Sequence, residues 1–447
     1  MLWYCESAWL GGEESTADVV IDVDDGLIAA VHAGATCPAG ASRLRGLVLP
    51  GLVNAHSHAF HRALRGRTHR TGGDFWSWRR LMYDVSTRLD PDNYRALALA
   101  TFAEMSLAGV TCVGEFHYVH HQPGGRPYGE PNEMGRAVTE AAAAVGIRLT
   151  LLDVCYLQAD VDGRALAPEQ QRFSDGSVEG WLERVAAIPE GPLVRVGSAP
   201  HSVRAVGQRD IATIAVWARE NGRPLHVHVS EQPAENEACL AATGGTPTQV
   251  LAEAGALTAM TTVVHATHVT AEDTALLGRA PTTVCLCPTT ERDLADGVGS
   301  AVDFAAAGSP LCVGSDSQAV IDIFEELRAI ELDERLVTGR RGLLSPATLL
   351  AAGTVAGATA LGWAAHGLTV GAPADFVAVD LDSVRLAGAR PADAAAQVVF
   401  AAAAPDVTDV VVAGRRIVEG REHLLLPDVG GLLMRATAAV THGGERR

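Results

Sequence analysis

The hydrophobic pattern of the chain is dominated by eight short apolar runs, most of them separated by longer helix-like segments. The runs occupy residues 45–55, 109–118, 148–156, 193–203, 224–231, 261–269, 282–290 and 310–317. Near-continuous apolar runs of this length are typical of strands that are buried on both faces of a sheet. The pattern therefore predicts eight buried strands.

The segments between these runs carry helix signals. Residues 91–109 have Pro91 near their start and Gly109 at their end, and residues 131–146 also end in glycine. Eight strands alternating with helices over about 270 residues predict an α/β fold, a (β/α)₈ TIM-like barrel, for which about 250 residues are typical. A doubly wound open sheet is the alternative. No Gly-x-Gly-x-x-Gly follows the first run, so the barrel is favoured.

Both ends of the chain carry further β-like runs. "ADVVIDVDDGLIAAVHAG" lies near the start, and "GAPADFVAVDLDSV" and "DVVVAGRRIVEGRE" lie near the end. Because the runs at both ends share this β-like pattern, they predict one small β-sandwich domain that is built from both termini. We assign residues 1–47 and residues 365–447, with a tail, to this domain, and residues 48–364 to a catalytic barrel.

The composition excludes several classes of protein. The 447 residues carry a formal net charge of −18, so binding to nucleic acid or to an anionic membrane is not expected. All 35 basic residues are arginine, which rules out Schiff-base, P-loop and carbamylated metal-bridging lysines. The eight cysteines form no C-x-x-C pair, and the first residues lack the features of a signal peptide. We expect a cytoplasmic protein.

Polar side chains gather at the ends of the predicted strands, where barrel enzymes carry their chemistry. His56 and His58 end the first run and share one face, because residues i and i+2 of a strand point the same way. His228 lies in the fifth run and Asp316 in the eighth. Each residue alone could be a hydrogen-bonded core histidine or a helix N-cap. Together, three imidazoles and a carboxylate predict a site for zinc or a similar divalent ion.

Four sequence motifs resemble those of a known protein family. "PGLVNAHSH", "HVHVSE", "VVHATHV" and "VGSDS", in this order, resemble the amidohydrolase superfamily in its aminohydrolase (deaminase) branch, and the resemblance covers essentially the whole chain. Within that branch "HAFHRALRG", "FWSWRRLMY", "EFHYVHH" and "APHSVRAV" are most similar to the formimidoylglutamate deiminases. The resemblance implies hydrolysis of N-formimino-L-glutamate to N-formyl-L-glutamate and ammonia, a reaction of histidine degradation, by a metal-activated water.

The resemblance also implies roles for individual residues. The expected ligands of one zinc ion per chain are His56, His58, His228 and Asp316. Glu231 and His265 would surround the water and the substrate imine, and Asp316 and Glu231 would move protons. Binuclear relatives bridge two metals with a carbamylated lysine or a carboxylate. This chain has no lysine and offers only Asp153, so one metal is the better interpretation.

The substrate side of the site follows from the same resemblance. The expected substrate-binding residues are His61, Arg79, Tyr118, His201 and Arg204. Arginine pairs bidentately with carboxylates, so Arg79 and Arg204 suit a dicarboxylate substrate. Arg80 is the alternative to Arg79. His61 stands where the better-known members of the family carry glutamine, which leaves a shift in substrate preference open.

Two other functions stay open. A deaminase of the same branch could act on a heterocycle such as guanine, S-adenosylhomocysteine or a triazine, or on another formimino amino acid. A metal-free binding protein is the second alternative, but such a protein would be expected to have lost a ligand or Glu231. The metal could be zinc, iron or manganese. A homodimer is expected only from the resemblance.

Overall fold

The computed structural model describes residues 1–69, 75–363 and 366–441, which form two eight-stranded sheets and the helices around them. The strands are β1 (Leu2–Ala8), β2 (Thr16–Asp24), β3 (Leu27–His32), β4 (Ser42–Pro50), β5 (Leu52–Ser57), β6 (Val110–His117), β7 (Arg148–Cys155), β8 (Val194–Pro200), β9 (Leu225–Val229), β10 (Thr261–His265), β11 (Thr283–Leu286), β12 (Leu311–Val313), β13 (Phe376–Val379), β14 (Val407–Val412), β15 (Arg415–Glu419) and β16 (Glu422–His423).

The eight predicted buried runs contain β5 to β12, which are parallel neighbours in chain order. The last strand closes onto the first through the backbone. The Asp316 N–H donates to the His56 carbonyl at 3.0 Å, and the His58 N–H donates to the Asp316 carbonyl at 3.1 Å. Gly314 lies at this seam, where a Cβ would stand 2.6 Å from the His56 carbonyl oxygen. The predicted (β/α)₈ barrel is confirmed.

At least one helix follows every barrel strand, as the alternating pattern predicts. The helices are α1 (Phe75–Ser86), α2 (Pro91–Leu107), α3 (Glu133–Val145), α4 (Val178–Ala186), α5 (Gln208–Glu220), α6 (Pro233–Thr243), α7 (Pro247–Glu253), α8 (Ala271–Arg279), α9 (Pro288–Asp293), α10 (Ala301–Ala307), α11 (Ile323–Thr338), α12 (Pro346–Ala352), α13 (Val355–Ala360), α14 (Ala394–Ala401) and α15 (Val429–Thr441). None of these described helices is both long enough and apolar enough to cross a bilayer.

Local signals explain where the predicted helices begin and end. Asp90 caps α2 by accepting the Asn93 N–H, and Pro91 occupies the first turn, where its missing N–H costs nothing. Gly146 ends α3 with φ +88°, a conformation that glycine adopts without steric penalty. These signals place the helix ends within a few residues of the predicted positions.

The second sheet is built from both termini, as predicted. Its strand order is β16-β15-β14-β13-β4-β1-β2-β3, with β1 parallel to β4 and the other pairs antiparallel. The sheet curls on itself, because the Ile28 N–H of β3 donates to the Ala372 carbonyl just before β13 at 2.8 Å. Trp3 and Phe376 meet edge to face inside the curl, with ring centroids 5.4 Å apart. The small β-domain is therefore one curled sheet with a core of its own.

The chain passes from this sheet into the barrel at Gly51. The predicted run 45–55 is two strands, because β4 continues to Pro50 in the terminal sheet and β5 begins at Leu52 in the barrel. A Cβ at Gly51 would lie 2.0 Å from Thr111 Oγ1, so only glycine fits this step. The predicted boundary between residues 364 and 365 lies outside the described residues, as does the end of the predicted tail, residues 442–447.

Candidate active site

The four predicted metal ligands meet at the carboxyl ends of β5, β9 and β12. The Nε2 atoms of His56 and His58 lie 3.4 and 3.2 Å from Asp316 Oδ1. The Nε2 atoms of His56 and His228 lie 3.1 Å apart. All four side chains are buried, and their candidate ligand atoms lie within 4.8 Å of one another. The barrel thus brings residues from distant parts of the chain to one point.

Hydrogen bonds to the backbone fix two of the imidazole rings. His58 Nδ1 lies 3.0 Å from the Phe116 carbonyl oxygen, and His228 Nδ1 lies 3.1 Å from the His201 carbonyl oxygen. A carbonyl oxygen only accepts hydrogen bonds, so each Nδ1 carries the proton and each Nε2 lone pair faces the cluster. This arrangement is typical of histidine ligands of metals, whose second nitrogen donates to a neighbouring acceptor.

The protonation states also suit a cation. Burial lowers the pKa of His56 to about 3, so this ring is neutral at pH 7. Burial alone would raise the pKa of Asp316, but the adjacent imidazoles of His56 and His58 hold it well below its usual range. Neutral imidazoles and an ionised carboxylate are the states in which these groups bind metals. The donor set therefore fits zinc or a similar divalent ion.

Backbone strain collects at the same strand ends. Ser230, His265 and Asp316 have φ values of +52°, +70° and +42°. Residues other than glycine rarely adopt this region, and where they do the surrounding structure holds them, often at functional sites. Asp316 also carries the backbone bonds that close the barrel, so the fold fixes its position.

Glu231 and His265 flank the cluster, as predicted. His265 Nε2 lies 3.9 Å from both Glu231 Oε1 and Asp316 Oδ2, and its Nδ1 lies 3.2 Å from Glu291 Oε1. Burial by itself lowers the pKa of His265, but these three carboxylates outweigh it and raise the pKa to about 10. His265 is thus a hydrogen-bond donor at neutral pH. Glu291 directly follows the seventh apolar run, but the sequence analysis assigns it no role; in the structure it lies in the first turn of α9.

A cavity opens onto the cluster and is lined by all the predicted substrate-binding residues, His61, Arg79, Tyr118, His201 and Arg204. Of the two adjacent arginines, Arg79 lines the cavity and Arg80 is exposed. Tyr83, Tyr156 and Phe173 also line it, and these apolar walls carried no signal in the sequence.

Arg204 is a half-buried cation with one buried donor, its Nε, that lacks an acceptor among the described residues. Its side chain is 17% exposed, and its Nε is buried with no hydrogen-bond partner among the described residues. The nearest carboxylate oxygens belong to Glu231 and Glu235, each 3.7 Å from a guanidinium nitrogen. Arg79, in contrast, donates from Nε to the Tyr83 hydroxyl at 2.8 Å. Buried donors without acceptors are costly, so the geometry around Arg204 suits an anionic ligand.

His61 is tied to another residue of the cavity wall. Its Nε2 lies 2.8 Å from the Tyr118 hydroxyl, and its buried Nδ1 has no hydrogen-bond partner in the described part of the chain. The ring of His201 is fixed in a similar way, with its Nδ1 3.2 Å from Ser202 Oγ. Both imidazoles therefore keep one nitrogen for other contacts.

Comparison with known proteins agrees with this fold. The model of the amidohydrolase family matches residues 47–417, and the chain belongs to this family of hydrolases. It is an amidohydrolase-type deaminase that acts on C–N bonds. Formimidoylglutamate deiminase of Pseudomonas aeruginosa is 39% identical over 89% of this chain and 90% of its own length.

Relatives with other activities are also similar. The 5-methylthioadenosine/S-adenosylhomocysteine deaminase of Natronomonas pharaonis is 29% identical over 91% of this chain and 89% of its own. The crystal structure of an amidohydrolase from Brucella melitensis superposes with a TM-score of 0.90 and 33% identity, covering 99% of this chain and 100% of that chain. The predicted family, fold and enzyme class are confirmed.

Proposed function

We propose that the enzyme hydrolyses N-formimino-L-glutamate to N-formyl-L-glutamate and ammonia, using one divalent metal ion, with zinc as first choice. The proposed ligands of this ion are His56, His58, His228 and Asp316. Such an ion supplies, when bound, a water whose pKa is lowered from 15.7 to about 7. The remaining work of substrate binding and proton transfer falls to side chains of the chain itself.

The position of Arg204 is the observation that carries the proposal. Its guanidinium, whose Nε has no hydrogen-bond partner among the described residues, lines the cavity beside the candidate metal ligands together with Arg79, in a chain of net charge −18. Two fork-shaped cations suit the two carboxylates of formiminoglutamate, since arginine binds carboxylate through paired hydrogen bonds. The 39% identity with a formimidoylglutamate deiminase supports the same substrate.

The reaction adds a water oxygen to the formimino carbon and breaks the bond to the terminal nitrogen, which leaves as ammonia with both protons of the water. Asp316 Oδ1 faces the Nε2 atoms of His56 and His58, so Oδ2 is the oxygen assigned to accept the first proton. Glu231 lies near enough to His265 and the cluster to carry a proton to the departing nitrogen. His265 donates a hydrogen bond to the attacking oxygen.

Replacing Glu231 tests this assignment. Glu231→Gln keeps the size of the side chain but cannot carry the proton, so kcat should fall by about 10²–10⁴-fold. Metal content, measured by elemental analysis, should stay at the wild-type value, because Glu231 is not among the proposed ligands. Full turnover by this variant would remove Glu231 from the mechanism.

Ammonia release from a set of substrates tests the proposed function itself. The zinc-loaded enzyme should favour N-formimino-L-glutamate over N-formimino-L-aspartate, guanine and S-adenosylhomocysteine. Preference for either heterocycle would refute the proposal, and preference for S-adenosylhomocysteine would favour the activity of the similar 5-methylthioadenosine/S-adenosylhomocysteine deaminases. Preference for formiminoaspartate would refute formiminoglutamate as the substrate. The predicted homodimer stays a prediction, which light scattering would test.

A further inference from the structure

Glu235 is a buried carboxylate beside the cavity that the mechanism above does not use. It lies in the first turn of α6, and its side chain is 2% exposed. Its Oε2 accepts the backbone N–H of Glu231 at 3.2 Å. Its Oε1 faces Arg204 Nε at 3.7 Å. One side chain therefore contacts both the proposed proton carrier and the proposed carboxylate-binding cation.

The two facing atoms share an unusual property. Glu235 Oε1 and Arg204 Nε are both buried, and neither has a hydrogen-bond partner among the residues that the structure describes. An acceptor and a donor that are both unsatisfied, 3.7 Å apart and of opposite charge, form a pair that can tighten into a hydrogen bond with a small movement. Glu235 is also the carboxylate that most strongly offsets the effect of burial on the pKa of Arg204, which is raised.

We infer that Glu235 is a positioning residue that holds the Nε edge of Arg204, so that its terminal nitrogens stay directed toward the substrate carboxylate and toward Glu231, whose Oε2 lies 3.7 Å from Nη2. The inference rests on the proposed function, in which Arg204 binds that carboxylate. Because the same side chain holds the backbone of Glu231, it also fixes the spacing between the anion-binding group and the proton carrier. Capping of α6 is the simpler alternative role, since a glutamate in the first turn often fills it.

A conservative substitution separates the two roles. Glu235→Gln retains an oxygen that can accept the Glu231 N–H, but it removes the charge that faces Arg204. The KM for N-formimino-L-glutamate should rise about tenfold with a smaller change in kcat. Turnover of N-butylformamidine, which has no carboxylate, should stay near the wild-type rate. Equal losses on both substrates would reduce Glu235 to a helix cap, and no loss on either would also overturn the inference.

Two further variants test whether any loss of negative charge on α6 would have the same effect. Glu237→Gln removes the same charge from an exposed position of the same helix and should behave as the wild type. Glu235→Asp keeps the charge but withdraws it by one methylene. Its KM for N-formimino-L-glutamate should therefore rise selectively as well, but by less than in Glu235→Gln. A matching rise in Glu237→Gln, or no selectivity in Glu235→Asp, would contradict the inference.

A double-mutant cycle tests whether Glu235 acts through Arg204. The Arg204→Met/Glu235→Gln enzyme should lose no more kcat/KM on formiminoglutamate than Arg204→Met alone, because a positioning residue has nothing left to position. Losses that multiply would show that the two side chains act independently.

Thermal unfolding gives a readout that needs no substrate. It is measured on the four zinc-loaded proteins of the cycle, which are the wild type, the two single variants and the double variant. The loss in Tm of the double variant should be smaller than the sum of the single losses by at least about 2 °C, since the double variant no longer buries an unpaired charge. Additive losses would overturn the Glu235 inference even if formiminoglutamate is the substrate. Failure of the wild type to hydrolyse formiminoglutamate would instead refute the proposed function and leave this coupling measurable.

Discussion

Among the residues that the structure describes, two buried groups of histidine and carboxylate that share no residue lie in this barrel, and they differ in how their members are already paired. His56, His58, His228 and Asp316 form the mouth cluster, and His117, His120 and Asp153 form the wall cluster. Both bring candidate ligand atoms within 4.8 Å of one another. Distance alone does not tell them apart.

The difference lies in the other partners of each group. In the wall cluster, Asp153 accepts two hydrogen bonds from Arg184, both 2.8 Å, and a third from Trp181 Nε1 at 2.9 Å. His120 Nε2 lies 2.8 Å from the Val154 carbonyl oxygen, and His117 Nδ1 lies 3.3 Å from the Tyr94 hydroxyl.

In the mouth cluster, the backbone takes the Nδ1 atoms of two rings, and no arginine pairs with Asp316 among the described residues. At the wall an arginine of the protein thus already neutralises the carboxylate, whereas no arginine of the described residues does so at the mouth. The same contrast argues against Asp153 as a bridge to a second metal, since its oxygens are engaged by Arg184 and Trp181.

The matched pair Asp316→Asn and Asp153→Asn should give the largest effect. Asp316→Asn removes a proposed ligand and a proton acceptor together, so kcat/KM should fall by about 10⁴-fold or more and metal content should drop. Asp153→Asn should keep the metal and near wild-type kcat/KM, with a lower Tm. Loss of metal in Asp153→Asn, measured by elemental analysis, would contradict the claim that the metal binds at the mouth cluster and not at the wall cluster.

Two arginines sharpen the same comparison. Arg204 has a buried Nε without a hydrogen-bond partner among the described residues, whereas Arg184 is fully engaged by Asp153 and Asp175. Arg204→Met should lower kcat/KM for formiminoglutamate by about 10- to 100-fold, the value of a charged hydrogen bond, and spare N-butylformamidine.

Arg184→Met should instead destabilise the fold by about 3–5 kcal/mol, because it leaves buried carboxylates unpaired. Urea denaturation would measure this loss, and substrate kinetics should show little change per folded molecule.

For Arg204→Met, an equal loss of kcat/KM on formiminoglutamate and on N-butylformamidine would argue against a contact between Arg204 and the substrate carboxylate.

The smallest effect concerns the pH dependence of stability at the wall cluster. Burial, aided by Arg184, lowers the pKa of His120 from 6.5 to about 4. Between these values the unfolded chain binds a proton that the folded chain rejects, so this contribution is present above pH 6.5 and is lost as the pH falls toward 4. His120→Gln cannot titrate, so its Tm should fall less steeply than that of the wild type between pH 6.5 and 4. Parallel Tm curves would contradict the lowered pKa.

Short-range geometry explains how much of the site could be predicted from the sequence. The i, i+2 spacing of His56 and His58 fixes their shared face on any strand, and a barrel places the end of each strand at one mouth. The same argument could not assign Glu235 or Glu291, because their partners Arg204 and His265 come from other strand–helix units.

One failure of the pattern and one choice that it left open have equally local causes. The run 45–55 was predicted as one strand, because both halves are buried and apolar, and only the contact of Gly51 with Thr111 shows where the chain changes sheets. Arg79 and Arg80 are adjacent on α1, so their difference in exposure depends on how that helix is rotated against the barrel.

Anomalous diffraction at the zinc absorption edge, from crystals of the zinc-loaded enzyme, tests the central claim most directly. The account predicts one strong peak among His56, His58, His228 and Asp316, and none within the wall cluster. A peak between His117, His120 and Asp153, or none at the mouth, would contradict it.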